Sequence, residues 1–598
     1  MTSQSMWALK ISLLTDEVSW VLFNQVAFKQ RSQEVLKRVR NIVDLCNGHP
    51  FIISVIGRML YFKDPENEMS LLDELANIFE ENDILPPLRL CYNQLPSHLK
   101  HCFAFCSLFP KGYEMDVQRL IKFWMAQGFI ELSDNQCVED VGYQCCLHLI
   151  FRFFFVIAKK DENGQIIKCR LNGVMYGLAK WAAENECEML HANEASASQL
   201  FIRHVSFNFP LDSSWPEIPN SVPQAKGIRT ILLCNQSLNE FQERSSRKSI
   251  CGRIVSRFKL LRMLDLHNSG LKEVPSSIGK LKHLRYLDLS ENKDIVELPA
   301  SITMLQNLQT LKLSSCYELR DWPIGFRKLV NLRHLEFDWC YSLTRMPRGL
   351  GQLTNLQTLS EVVLTKQPDH ELSELKELNN LRGALKITNL RSEIQSESAN
   401  LEGKKHLSSL MLTWDLSSND GEATAGVEQT LEGLKPHKNL QELALVGYGG
   451  ANFSNWLSSL TRLVKFSLRR SKCEYIPSLG YLKVLILDEM TSLKYISDSS
   501  MNESSPLMLS SLEELRLSEL PNLERWWRTM PSSPPSMFLS FPRLSKLIIE
   551  DCPKLNCMPL YPNLEEWLVL DNTCWEPFKL TLSPDKSSSS RHLLHFPN

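Results

Sequence analysis

Leucine recurs along this chain at a nearly fixed interval. Leu261, Leu264 and Leu266 are followed by Leu284, Leu287 and Leu289, then by Leu308, Leu311 and Leu313, then by Leu332, Leu335 and Phe337. The interval is 23 or 24 residues and each unit reads L-x-x-L-x-L, the spacing of a leucine-rich repeat. One such unit cannot bury its apolar edge alone. Stacked neighbours bury it together and leave a long face for binding. The pattern therefore predicts that more than half of the chain is a recognition surface rather than a catalytic pocket. The units loosen over residues 360–406 and return at Leu407/Leu410/Leu412, Leu440/Leu443/Leu445, Leu463/Phe466/Leu468, Leu482/Leu485/Leu487, Leu512/Leu515/Leu517 and Leu544/Leu547/Ile549. Weaker units at Ile228/Ile231/Leu233 and Leu564/Trp567/Val569 flank the array as caps.

Within a unit, the fourth and sixth positions point inward on a short strand and the residues beside them point outward. That alternation selects the candidate partner-binding face. It comprises Met263, Tyr286, Thr310 and His334, then Asp265, Asp288, Lys312 and Glu336, then His267, Ser290 and Asp338. The ninth position, held by Ser269, Asn292, Cys316, Cys340 and later Cys552, sits inside a turn, so these cysteines read as structural. Pro275, Pro299, Pro323 and Pro347 recur on the return path, which predicts irregular or 3₁₀ turns there instead of long helices.

At 598 residues the chain exceeds one hydrophobic core, so several domains are expected. A formal net charge of −2 gives no general pull toward nucleic acid or anionic membrane. No basic stripe interleaved with aromatics suggests nucleic-acid binding. No window approaches the ~18 apolar residues of a membrane span, and the first residues lack the form of a signal peptide. Scattered cysteines fit a reducing compartment. His98, His101, Cys102 and Cys106 lie among Phe103, Phe105, Leu108 and Phe109, which favours core packing over a metal site. No catalytic constellation stands out. Trp526-Trp527, between Arg525 and Arg528, reads as repeat-edge packing before it reads as an interface anchor.

The region before the repeats reads as helical. A helix capped at Thr15 or Asp16 carries Val18, Val21, Leu22, Val26 and Ala27 on one side, and a second carries Val35, Val39, Ile42, Val43 and Leu45. Gly48 and Pro50 break the pattern, and Phe51–Leu60 reads as a buried helix. Phe153–Lys159 and Ile166–Leu171 flank an Asn163-Gly164 turn and read as a hairpin, which with the helices around it suggests a winged helix.

The segment from Leu95 to Pro110 (LPSHLKHCFAFCSLFP), then Lys111-Gly112-Tyr113 and Leu120–Phe129 (LIKFWMAQGF), closely resembles plant NB-ARC leucine-rich-repeat disease-resistance proteins. Leu14–Phe23, Cys46–Ile52, Leu381–Leu390 and Lys404–Trp414 resemble further motifs of the coiled-coil class of that family. The resemblance implies an α/β multidomain chain. Residues 1–80 would be a helical ARC portion, 81–190 a winged-helix ARC portion and 191–225 a transition segment. Residues 226–577 would be a leucine-rich-repeat solenoid of horseshoe form, and 578–598 a disordered tail. It also implies an intracellular immune receptor in plant defence, cytoplasmic, with the nucleus or the plasma-membrane face as alternatives. Its repeats would recognise a pathogen effector or host protein, and their first units would contact the winged helix.

The family switches between ADP- and ATP-bound states. This sequence contains no G-x-x-x-x-G-K-[ST] loop and no apolar run ending in paired aspartates. Pro50 occupies the family's adenine-side position, and Asn172 replaces the histidine of its Met-His-Asp motif, with Gly173 in place of the aspartate. These two are the candidate cofactor-binding residues. The expectation is an N-terminally truncated homologue, not an enzyme, with no cofactor of its own. The alternatives are a nucleotide switch whose core lies upstream of this sequence, and a decoy or non-functional homologue.

Overall fold

The computed structural model describes residues 13–27, 31–79, 85–132, 136–161, 164–190, 201–208, 227–234, 249–365, 372–392, 394–415, 424–476, 479, 481–497, 511–527, 541–558 and 567–573. They form two compact units, residues 1–269 with 280–288, and residues 270–279 with 289–598. Most of the expected transition segment, Asn163 of the hairpin turn, Arg528 and the tail lie outside the described residues, as do residues 498–510 and 529–540.

The first unit opens with helices α1 (Asp16–Val26), α2 (Gln33–Leu45), α3 (Pro50–Tyr61), α4 (Pro65–Ile78) and α5 (Leu85–Asn93). Thr15 caps α1 and Ser32 caps α2, each accepting from a backbone N–H three residues on. The predicted apolar side of α1 is corrected. Ser19, Phe23 and Val26 are its buried residues, while Val18 and Val21 remain about half exposed at 48% and 55%. The helix turns Phe23, Val26 and the following Ala27 toward Gly57 of α3, where the missing side chain leaves room for them. On α2, Val39, Ile42 and Val43 are buried but Leu45 is not. Between α2 and α3, Gly48 adopts φ +68°, and a Cβ there would meet the Leu14 carbonyl oxygen at 2.1 Å, so only glycine fits.

Helix α6 (Ser97–Phe105) leads through a 3₁₀ turn, Cys106–Leu108, to β1 (Met115–Asp116), α7 (Val117–Gln127), α8 (Val138–Phe151), β2 (Val156–Lys160), β3 (Ile166–Arg170) and α9 (Gly173–Ala183). The strands form an antiparallel sheet in the order β1-β3-β2. The expected hairpin is present, except that Phe153–Phe155 precede the strand. Phe154 and Phe155 turn into the core, meeting Phe103 at 4.9 Å and Trp124 at 6.5 Å between ring centres. Cys102 and Cys106 lie in the same core, and burial pushes both thiols well above their ordinary values.

The unit continues as parallel strands β4 (Cys187–Leu190), β5 (His204–Phe207), β6 (Thr230–Leu233), β7 (Met263–Asp265) and β8 (Tyr286–Asp288), with α10 (Ser249–Arg257) before β7.

The second unit holds parallel strands β9 (Thr310–Lys312), β10 (His334–Glu336) and β11 (Thr358–Leu359), with 3₁₀ turns such as Ala300–Met304 and Phe326–Lys328 on the return path, as the prolines predict. It continues as β12 (Glu361–Val363), β13 (Arg382–Leu390), β14 (His406–Trp414), α11 (Thr424–Gly433), β15 (Glu442–Val446), β16 (Lys465–Arg469), β17 (Val484–Asp488), β18 (Tyr495–Ser497), β19 (Glu514–Ser518), β20 (Arg525–Trp527), β21 (Lys546–Glu550) and β22 (Trp567–Asp571). Nine of these make one parallel sheet, β12-β13-β14-β15-β16-β17-β19-β21-β22, while β18 pairs β20 beside it. The irregular stretch over 360–406 thus contributes β12 and β13 to the sheet. The inward residues, from Leu410 and Leu412 to Leu547 and Ile549, are fully buried.

Two side-chain ladders tie successive turns together. Cys316 donates to the Leu289 carbonyl at 3.3 Å and Cys340 to that of Leu313 at 3.2 Å, in the turn role expected of them. The equivalent Asn292 donates to Leu289 O and accepts from Leu271 N–H. The second ladder is unforeseen. Asn331, Asn355, Asn380 and Asn439, each just before the first leucine of a unit, donate to a backbone carbonyl of the preceding unit. Carbonyls that a short strand leaves without a partner are satisfied this way.

Candidate functional site

The outward residues of the early strands are not free in the first unit. Helix α7 lies on them. Its N-cap Asp116 accepts from Arg119 N–H, and Gly128 ends it in the left-handed conformation, so Arg119, Phe123 and Gln127 recur on one face. That face meets the strands. Phe123 packs edge-on against Tyr286 at 5.0 Å, Gln127 donates to Thr230 at 2.8 Å, and Arg119 donates to Asp265 at 2.6 Å. Arg262 and Arg285, each preceding a strand, donate to the carbonyls of Gln127 and Ala126, placing cations at the negative end of the α7 dipole.

Asp265 is the hub of this contact. One carboxylate oxygen accepts from the Arg119 guanidinium, and the other from the His267 backbone N–H and from His267 Nδ1 at 2.6 Å. Its side chain is inaccessible to solvent. Burial alone would raise the carboxyl, but the His267 and Arg119 cations outweigh it and hold the group well below the usual carboxylate range. Burial likewise works against the charged form of His267, and the Asp265 carboxylate overrides it, so its pKa is raised. Nearby, His204 donates to or accepts from Thr230 Oγ1 and is driven down to about 3 by burial and by Arg229, Arg203 and Arg262, leaving a neutral imidazole.

The candidate partner-binding columns therefore need correction. Met263, Asp265, Tyr286 and Asp288 are buried, the first three directly beneath α7, instead of facing solvent, while His267 lies at the rim of that contact. In the second unit Ser290, Thr310 and His334 are also buried, the last with Nδ1 3.1 Å from Thr358 Oγ1. Lys312, Glu336 and Asp338 retain partial exposure, and Lys312 pairs with Glu336 at 3.1 Å. Arg119 and Phe123 are not among the candidates drawn from the sequence. The signal was their i, i+4 spacing on a helix whose other side was already filled by Leu120, Ile121 and Trp124.

The open part of the outward face lies on the later strands. The register sets Met411, Ala444, Ser467, Ile486, Arg516, Ile548 and Val569 in one row. Each of these side chains is partly or fully exposed. Arg469, Asp488, Ser518 and Glu550 form the next row, where Arg469 pairs with Asp488 at 2.9 Å.

The two candidate nucleotide residues have structural duties. Pro50 is the first residue of α3. Asn172 caps α9, its side-chain oxygen accepting from Met175 N–H at 2.8 Å. A phosphate needs convergent N–H donors at a helix N-terminus. Pro50, the adenine-side candidate, has none, and Asn172, whose oxygen is engaged in the cap, offers a phosphate only its side-chain amide nitrogen. The Lys111 side chain lies 3.2 Å from where a Cβ on Gly173 would sit. These residues do not by themselves fit a nucleotide phosphate. Among the described residues, no helix is long and apolar enough to cross a membrane.

Comparison with known proteins agrees with this domain order. Residues 108–179 match the family described as the disease resistance protein winged helix domain, residues 259–317 a leucine-rich repeat family, and residues 372–497 the R13L1/DRL21 leucine-rich repeats. RGA1 of Solanum bulbocastanum is 37% identical over 531 residues, covering 86% of this chain and 49% of that protein. RPP13-like protein 1 of Arabidopsis thaliana is 32% identical over 584 residues, covering 91% and 53%. RGA2 of Solanum bulbocastanum is 31% identical over 570 residues, covering 91% and 54%. All three carry the description of disease resistance proteins, and the chain spans about half of the length of each. The chain thus carries a disease-resistance winged helix followed by two kinds of leucine-rich repeat, and over most of its length it is similar to plant disease resistance proteins.

Proposed function

We propose that this chain works in plant defence as an immune-receptor homologue that binds a protein, either a pathogen effector or a host protein, through the open face of its later repeats. The observation that carries this reading is the row Met411, Ala444, Ser467, Ile486, Arg516, Ile548, Val569. Apolar side chains with one serine and one arginine among them line a partly exposed parallel sheet there, the composition of a protein interface rather than of a merely solvated face. In this reading the winged helix and the strands it covers are the regulatory part. The chain itself performs no catalysis, and it acts in the cytoplasm. Any ADP or ATP dependence would come from residues other than Pro50 and Asn172.

The test uses the full chain and its Ile486→Glu, Arg516→Glu double variant, each tagged and expressed in leaves with and without a pathogen. The expected result is one identifiable protein recovered with the native chain and lost with the variant, together with loss of the pathogen-dependent response. Identical recovered proteins and identical responses would overturn the reading.

A further inference from the structure

The second unit carries an aromatic surface apart from the open row. Trp339 and Tyr341 are exposed by 61% and 71%. They flank Cys340, whose thiol is fixed in the turn. Their rings lie 6.2 Å apart, edge to face, and Tyr341 sits 5.6 Å from Tyr317, the equivalent residue of the preceding repeat. One repeat earlier the same position is Lys293, and its ammonium lies over the Tyr317 ring at 5.6 Å. The column thus reads lysine, tyrosine, tyrosine, with a cation on its first ring and open aromatic faces at its other end.

Backbone geometry explains why Trp339 stands clear. Asn268, Glu291, Ser315 and Trp339 occupy equivalent turn positions and all have φ between 48° and 63°. Small or polar residues tolerate that left-handed region best, and a bulky one there is unusual. The turn holds the indole outward, so it fills no core.

Charge decides what such a surface takes. Asp338 precedes the tryptophan, and Glu336 and Glu361 lie near it. Lys312 pairs with Glu336 and Lys386 with Glu361, each at 3.1 Å, and Asp338 accepts a hydrogen bond from Ser314. Three carboxylates thus face two ammonium groups. Burial, then Glu336 and Glu361, raise the Asp338 carboxyl, the response of a carboxylate lacking a cation of its own. A guanidinium satisfies both features, stacking on one ring of the edge-to-face pair while donating hydrogen bonds to the carboxylate.

We propose that Trp339, Tyr341 and Asp338 form a docking site for an arginine-bearing segment of a partner protein. This rests on the reading of the repeats as a protein-recognition surface, and it adds a second contact point and the chemistry that fills it.

The test measures anisotropy of a fluorescein-labelled hexa-arginine peptide titrated with the full chain, beside hexa-lysine and hexa-glutamate peptides. Hexa-arginine should bind most tightly. Trp339→Ala should weaken it about tenfold and Asp338→Asn severalfold, while Trp339→Phe should recover most of the loss. Circular dichroism of each variant should match the native chain, because Trp339 and Tyr341 are exposed and Asp338→Asn keeps the shape of its side chain. Binding of hexa-arginine within twofold of native in the Trp339→Ala, Tyr341→Ala double variant would overturn the proposal. So would equal binding of hexa-lysine, which has no planar group to stack. A chain that keeps its leaf partner through Ile486 and Arg516 while ignoring hexa-arginine would overturn this inference alone.

Discussion

Strands β5 to β8 of the first unit and β15 to β17 of the second are built on the same leucine spacing, yet they are buried in different ways. In β5, β6, β7 and β8 every residue is buried. In β15 and β16 buried and partly exposed residues alternate. The inward apolar residues are equivalent in both sets. What differs is the outward side, where α7 covers Met263, Asp265 and Tyr286, while Ala444, Ser467 and Ile486 keep contact with solvent. A strand buried on both faces is a structural element, and a strand buried on one face can still bind. One repeat type thus serves two ends, and the neighbour on the outward side decides which.

Substitutions can break that contrast. The largest expected effect is at the aromatic contact. Phe123→Ala should destabilise the first unit by about 3–5 kcal/mol by emptying the space against Tyr286 and Phe105, read as a lower denaturant midpoint. Amide exchange in β7 and β8 should accelerate with it. Asp265→Ala should cost about 3 kcal/mol, because it leaves the Arg119 cation partly buried without its carboxylate. The Arg119→Met, Asp265→Leu pair should recover much of that loss. If the double variant is no better than Asp265→Ala, the charge pair is not the cause.

A smaller effect should appear with pH. The raised His267 group contributes stability that is complete below its unfolded value and disappears as pH rises through its folded value. The depressed Asp265 group contributes above its unfolded value and is lost only as pH falls through its folded value. The denaturant midpoint of the first unit should therefore decline on the alkaline side of the ordinary histidine range. His267→Phe should flatten that decline. The least effect on stability is expected on the open row. Ser467→Ala should change it by no more than about 0.5 kcal/mol, since it removes one partly exposed hydroxyl. A large loss there would show that the later strands are covered as the early ones are, and would erase the contrast.

Much of the fold was legible because its rules are local. The L-x-x-L-x-L spacing picks out the inward side chains, and the turn position explains why Cys316 and Cys340 donate to carbonyls. Prolines at fixed intervals exclude long return helices there. The hairpin was readable from its two apolar runs, but the fate of Phe154 and Phe155 was not. An apolar run does not say where a strand begins, and those two rings are drawn into the core by Phe103 and Trp124. The asparagine ladder went unread because each Asn precedes its leucine like any polar residue, and its acceptor belongs to the neighbouring repeat.

The sequence by itself determined that the chain stacks leucine-rich units behind a winged helix, since periodicity and turn chemistry act over a few residues. Only the tertiary structure decided which outward residues are available. Asp265 and Arg119 are 146 positions apart, and no local pattern links them. Whether a side chain beside an inward leucine meets water or a helix depends on what the rest of the chain brings to it, and that is a property of packing.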